Sequence, residues 1–337
     1  MILKKYLTNT GPEPLIKNKK IISEKNIYGQ NFKLLSFEKK NSKKIFYIIR
    51  RSPGAGLFSN LTVVLNHLLI CKKFNFFPVV DMENFKTIYN EISKINGHLN
   101  AWEYYFERLN RYTLKEVYKS KNVIFSNSNL EKYMLADMTN NNLKNLFSKI
   151  IIKKHIIKKF ENFYKKNFLN TKNILGIHFR GSTYKVARGH AFPFTIDLML
   201  IEIDKLINKY KYKKIFLVTE EQKYLDTFKK KYGDKCIFYS SYRMHKKDLF
   251  KIYPRKNHRY KMGEETVIDT LLLSKCDGLA YIKSNVISAA IMLSKKKQRY
   301  HEFFLGYNSR NKFISRWLWY IKSILPEYLG GFKVYFK

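Results

Sequence analysis

Between Ile174 and Leu293, short apolar runs alternate with stretches of helical period. The runs are Ile174–Phe179, Ile215–Val218, Cys236–Tyr239 and Gly278–Ile282; the helical stretches are Ile196–Ile207, Gln222–Lys231, Glu264–Ser274 and Val286–Leu293. A strand that is apolar at nearly every position has no face to give to water, so it belongs in a sheet covered on both sides. Strand-helix alternation supplies that cover, and together they predict a parallel α/β layer.

A related unit is legible earlier, in "KIFYIIRRSPGAGLFSNLTVVLNHLLICKKFNFFPVVD" from Lys44. An apolar run (Ile45–Ile49) meets a Pro/Gly loop, a helix-period run follows from Leu57 to Leu69, and a second apolar run ends at Val80. The segment Phe85–Ser148 reads as helix-rich and interrupted, with "NAWEYYFERL" its most aromatic piece, and Lys149–Asn167 as a basic helix bridging to the second half. At 337 residues the chain exceeds what one core usually organises. The expectation is two Rossmann-like domains, residues 1–165 and 166–337, with the last helix packing back on the first.

Hydrophobic content of 45% with 16% aromatics excludes a disordered chain, despite 27% charged residues. The net charge of +39 is mostly Lys, spread from Lys4 to Lys337, which describes solvated surface better than a clustered, Arg-bearing nucleic-acid footprint. Affinity for acidic surfaces or phosphorylated ligands survives that discount. Cys71, Cys236 and Cys276 are odd in number, far apart and set among apolar residues, so buried reduced thiols are expected in a cytoplasmic protein. The first residues lack the apolar core of a signal peptide, and no run approaches about 18 apolar residues.

The chemistry concentrates where strands end. In "LGIHFRGSTY" an apolar run finishes in His178, Arg180 and Gly181, with Ser182 following. That end of a doubly wound sheet is where ligands bind. A guanidinium fork suits phosphate oxygens, and glycine permits close approach; the competing reading is a salt bridge from Arg180 and a satisfied core imidazole at His178. Asp269 interrupts an apolar helical face, where a carboxylate is costly without a partner such as the two adjacent donors of guanine; a helix-surface Asp is the alternative. Tyr281 ends a strand, and Ser284, Asn285 and Ser288 open the next helix, as an anion cradle or as ordinary caps. Thr219, Glu220 and Glu221 end another strand and face the same crevice.

Taken in order, "GIHFRG", "KIFLVTEEQKYLDTFKKKYGDK" and "VIDTLLLSKCDGLAYIKSNVISAAIML" resemble the three motifs shared by α-1,6-fucosyltransferases, nodulation fucosyltransferases and protein O-fucosyltransferases, above all bacterial members whose first motif runs His-x-Arg-Gly-Thr-Asp. The resemblance covers Ile174–Leu293 and, loosely, "RRSPGAGLFSNL". It implies an α/β GT-B fold, two Rossmann-like domains facing each other across a cleft. It further implies an inverting mechanism without metal and no cofactor beyond a GDP-sugar donor. In that likeness His178 and Asp269 hold guanine, Arg180 lies against the β-phosphate as the catalytic cation, and Ser284 and Asn285 bind the diphosphate; Gly181, Ser182, Thr219 and Ser288 complete the nucleotide-sugar set. Thr183 stands where relatives carry an acid, and Gly181 where the α-1,6 enzymes carry a second arginine. The sugar is therefore fucose or another GDP-linked sugar such as a heptose.

No Asp-x-Asp metal motif stands at a strand end. Candidate bases are Asp81, Glu83, Glu103, His190 and Glu220. Gly54, Gly56, Asn60, Trp102 and Glu103 are the expected acceptor side, with ordinary core packing the competing role for Trp102, Tyr104 and Tyr105. Near the end, "SRWLWYIKSILPEYLGGF" combines Trp317, Trp319, Ile321 and Leu325 with Arg316 and Lys322. It suits either an anionic membrane surface carrying lipid-linked oligosaccharide or packing across the two domains. The overall expectation is a cytoplasmic enzyme, peripheral at the inner membrane, that builds surface glycan of capsule or lipooligosaccharide type without touching nucleic acid. The alternatives are a basic nucleic-acid- or polyphosphate-binding protein and an inactive GDP-sugar-binding relative.

Overall fold

A computed structural model describes residues 20–27, 30–51, 55–126, 141–244, 250 and 252–333. By internal contacts the chain divides into two units, residues up to Ile157 with Tyr253–Val267, and Lys158–Ile252 with Ile268 onward. The sequence suggests one crossing at 165/166; the chain crosses at 157/158, and Tyr253–Val267 groups with the first unit.

The first unit holds β1 (Lys20–Ile27), β2 (Gln30–Ser36), β3 (Phe46–Ile49), α1 (Leu57–Phe74), β4 (Phe77–Val80) and β5 (Val123–Phe125). Their order in the sheet is β1-β2-β5-β3-β4. β3 is parallel to β4 and β5, while β2 is antiparallel to β1 and β5, so this sheet is mixed rather than purely parallel. α1 is buried along much of its length, as a crossover between two apolar parallel strands must be. It stops at Asn75, whose left-handed backbone (φ 55°) Asn tolerates better than most residues, with Lys72 and Lys73 in its last turn facing the negative end of the helix dipole. Where it is described, the 85–148 segment is less helical than its sequence suggests. Among its described residues helix is confined to short pieces at Trp102–Tyr105, Leu114–Val117 and Asn141–Phe147, and the segment contributes β5 to the middle of the sheet.

The second half follows the predicted alternation: α2 (Lys154–Asn167), β6 (Ile174–Phe179), α3 (Ile196–Tyr210), β7 (Lys214–Thr219), α4 (Gln222–Tyr232), β8 (Cys236–Ile237), α5 (His258–Leu273), β9 (Gly278–Tyr281), α6 (Asn285–Leu293), β10 (Arg299–Glu302) and α7 (Ile314–Ile324). The sheet order is β10-β9-β6-β7-β8, all parallel. β6 is buried at every position, and Leu175, Ile177 and Phe179 pack with Ile203, Leu217, Leu225 and Phe228 in one core. Thr195 caps α3 by accepting from the Leu198 N–H at 3.3 Å. β10 is an edge strand of polar, largely exposed residues.

α7 is seated on this second unit. Trp319 is buried, donates its indole N–H to the Pro193 carbonyl at 2.8 Å and packs with Phe192 and Phe332. Among the described residues no helix is long and apolar enough to cross a membrane. The three cysteines are free and buried, and burial pushes the Cys236 thiol up to about 11.

Candidate functional site

From β6 the chain builds β7 and β8 on one side, then returns to place β9 on the other. The crevice outside the carboxyl ends of two such diverging strands is where doubly wound sheets take ligands. In this sheet it lies between β6 and β9, where His178 is in register with Tyr281. His178, Arg180, Tyr184, Pro193, Ile282 and Ser284 line a pocket there.

His178 is 5% exposed, and Ser284 Oγ lies 3.4 Å from its Nδ1. Ser284 also caps α6, accepting from the Ile287 N–H at 3.3 Å, so its own hydroxyl proton is free to point at Nδ1. With the hydroxyl donating, the ring's single proton sits on Nε2. Burial first, then the Arg180 charge, pull the imidazole down to about 3; the ring is neutral at physiological pH. The stability consequence has a definite sign. A depressed histidine leaves the unfolded chain binding more protons as pH falls from its ordinary value of about 6.5 toward 3. Folding free energy drops through that window by up to about 1.4 kcal/mol per pH unit. Denaturant unfolding at pH 6.5 and 4.5 is expected to show His178→Gln losing up to about 2.7 kcal/mol less than wild type; equal losses would contradict this placement of the imidazole.

Arg180 leaves β6 into the short turn Ser182–Lys185. Its guanidinium lies over the Tyr184 ring, 4.1 Å from the centroid, donates to the Tyr184 hydroxyl at 3.0 Å and reaches Glu220 at 3.5 Å. A third of the side chain stays exposed. The cation is thus clamped by an aromatic face and a carboxylate while keeping N–H donors for an incoming oxygen. Gly181 has a local reason as well: a Cβ there would run into the Glu221 carboxylate and come within 2.5 Å of the Tyr224 ring, itself stacked on Phe179. Its missing side chain makes room for protein, not only for ligand.

The remaining residues divide. Thr219 is buried at the end of β7, its hydroxyl accepting from the Glu221 N–H at 3.3 Å. Ser288 turns its hydroxyl onto the Ser284 carbonyl at 3.1 Å, a bond within its own helix, while Asn285 is the first residue of α6. Ser182 opens the turn after Gly181. Asp269 does not line the β6/β9 pocket. It is 8% exposed on α5 and accepts from Ser241 Oγ at 3.1 Å. The loop bearing Ser241 is shaped by a buried Arg243, which donates to the Tyr239 and Ser241 carbonyls, both at 2.9 Å. Tyr184, Ser241 and Arg243 are the residues a sequence reading misses. Tyr184 announces itself only through its four-residue spacing from Arg180.

On the first unit, Gly54 lies outside the described residues. Gly56 is the exposed N-cap of α1, and Asn60 is 2% exposed behind it. Trp102 is not a sugar platform. It is 3% exposed, packs on Phe106 and donates its indole N–H to the Glu107 carbonyl at 3.1 Å; Tyr104 and Tyr105 are fully buried. Glu103 is tied to Arg108 at 2.7 Å and His98 at 3.0 Å, a structural cluster. Asp81 is also committed, accepting from the Tyr118 hydroxyl at 2.6 Å, from the backbone of Glu83 and from Asn84. Of the other candidate bases, burial and the charges of Asp81 and Glu103 raise Glu83, burial and Arg180 lower His190, and Glu220 is engaged with Arg180.

No protein-family model and no curated protein matches this chain. Solved structures do. The chain is similar to NodZ alpha-1,6-fucosyltransferase co-crystallized with GDP, at 16% identity and a TM-score of 0.50, covering 74% of this chain and 93% of that one. It is similar to the fucosyltransferase NodZ from Bradyrhizobium, with the same identity, TM-score and share of this chain and 94% of the other. A NodZ soaked with GDP-fucose matches at 16% identity and a TM-score of 0.50, over 74% of this chain and 93% of that one. At that identity the likeness establishes the fold: the chain has the α/β fold of the NodZ fucosyltransferases, the GT-B class.

Proposed function

We propose that this chain is a glycosyltransferase that moves fucose, or another GDP-linked sugar such as a heptose, from a GDP donor to a growing surface glycan, with inversion and without metal. One observation carries the reading: a neutral His178, a helix-capping Ser284 and a clamped Arg180 converge at the switch point of a parallel sheet. An N–H on His178 Nε2 suits an acceptor edge of a base. The half-buried start of a helix and a guanidinium suit a diphosphate.

As the donor's bond between the anomeric carbon and the β-phosphate oxygen breaks, the electron pair leaves with the diphosphate, and a hydroxyl of the acceptor bonds the opposite face of that carbon. The hydroxyl proton passes to a base or to the departing phosphate. Negative charge grows on the β-phosphate in the transition state, so a cation fixed before reaction stabilises that state more than the ground state. Arg180 holds such a position. Asp269, buried on α5, is assigned to the N1–H and N2–H donors of guanine. The first unit is assigned the acceptor, through the segment around Gly56 and Asn60 rather than through Trp102.

Thermal unfolding in a panel of nucleotides tests the donor. GDP and GDP-sugars at a hundredfold excess over Kd are expected to stabilise the protein by about 2.7 kcal/mol, with UDP counterparts inert at the same concentration. Equal response to UDP and GDP would defeat the assignment. Stabilisation by duplex DNA with a steep salt dependence would favour nucleic-acid binding instead.

A further inference from the structure

α7 is apolar on two sides. Its inner side is accounted for by Ser315 and Trp319, both buried against the second unit. Its outer side is not: Phe313 is 74% exposed, Trp317 and Ile324 each 67%, and Tyr320 and Ile321 are close to half exposed. Tyr328, just past the helix, is 85% exposed. Phe313, Trp317, Tyr320 or Ile321, and Ile324 recur at the three- and four-residue spacing that puts side chains on one helix face. Isolated exposed apolar residues are ordinary, but a continuous aromatic and aliphatic stripe marks an interaction surface.

The charges along the chain that carries the stripe say what it meets. From Arg310 to Lys333 the cations are Arg310, Lys312, Arg316, Lys322 and Lys333, against the single acid Glu327; Lys322 turns its ammonium onto the Gly330 carbonyl and the Phe332 ring. The whole chain sets 65 Lys and Arg against 26 Asp and Glu, so an anionic surface attracts it from a distance. Trp and Tyr are the side chains that settle at a bilayer's headgroup level, with Lys and Arg beside them reaching the phosphates. A protein partner would need a matching acidic rim; a bilayer containing acidic lipid presents that charge everywhere.

We infer that the outer face of α7 is a membrane-docking face, which enters the headgroup region of an anionic bilayer with Phe313, Trp317 and Ile324 foremost and holds the second unit at the lipid surface. The inference stands apart from the transferase reading and survives if no nucleotide binds.

Tryptophan fluorescence tests it, because Trp102 and Trp319 are buried and Trp317 is the exposed indole. With vesicles of phosphatidylglycerol and phosphatidylethanolamine, Trp317 emission is expected to shift to the blue and to be quenched by bromine placed high on the acyl chains; phosphatidylcholine vesicles should do neither. The double variant Phe313→Ser/Ile324→Ser, which leaves Trp317 and the buried side of α7 in place, is expected to bind the anionic vesicles about tenfold more weakly or worse. Simple attraction of a basic protein would give binding without a blue shift or quenching, and that result overturns the inference. So does undiminished vesicle binding by the double variant. A concentration-dependent dimer that the same variant abolishes would also overturn it, assigning the stripe to a second copy of the chain.

Discussion

Arg180→Ala is expected to lower the rate of GDP release from the donor sugar about 10²–10³-fold, the usual cost of removing one preorganised donor to a developing oxyanion. The structure gives the reason for so large an effect from one side chain. Arg180 is held over the Tyr184 ring, hydrogen-bonded to the Tyr184 hydroxyl and drawn toward Glu220, so its orientation is set before any ligand arrives. Stabilisation that needs no rearrangement during reaction is what separates kcat from donor affinity. The loss should therefore fall mainly on kcat, with a smaller change in the donor's KM. Arg180→Lys is expected to recover little, because an ammonium offers neither the planar fork nor the stack on tyrosine. Steady-state kinetics on the two variants decides it: a kcat within threefold of wild type for Arg180→Ala would remove this residue from the chemistry.

The second large effect belongs to Asp269. Its carboxylate is nearly buried and accepts from the Ser241 hydroxyl. If the acidic edge receives the N1–H and N2–H of guanine, two charge-assisted bonds of about 1.5–3 kcal/mol each are at stake. Asp269→Asn keeps the shape but turns one acceptor into a donor aimed at another donor. GDP affinity is expected to fall about 10²-fold or more, and the preference for GDP over UDP should shrink with it. Titration calorimetry reads both. Unliganded melting of the variant serves as the folding control, since Ser241 retains an acceptor in the amide oxygen. Unchanged GDP affinity in a folded Asp269→Asn would detach α5 from base recognition while leaving the diphosphate assignment of Arg180 and Ser284 intact.

What was legible in the residues follows burial. β6, β7 and β9 are near-continuous apolar runs because both faces of their sheet are covered, and such strands declare themselves. β10 did not, since "RYHE" at an exposed edge carries no apolar pattern; β5 is three residues long and is overlooked between helical stretches. "KIISEKNI" in β1 mixes charge and apolar residues without the alternation of a half-buried strand. The site divides the same way. His178 and Arg180 stood out because polar groups at the end of a buried strand need a reason. Ser241 and Arg243 lie in a loop whose shape depends on carbonyls that the sequence does not distinguish. Trp102 shows what sequence cannot divide: aromatic residues fill cores and bind sugars alike, and burial, here 3% exposure, decides for packing.

β10 carries one more lesson. A parallel sheet whose last strand is, among the described residues, paired on one side alone offers that outer backbone to any extended chain nearby, and such margins seed clumping during folding. Arg299, Tyr300 and Glu302 are exposed along this border, and Lys295, Lys296 and Lys297 precede it. Charges such as Arg299, Glu302 and the preceding lysines are the kind of edge residue that disfavours one molecule's border stacking on another's, so the same residues that hid the strand from its sequence pattern guard the open side of the sheet.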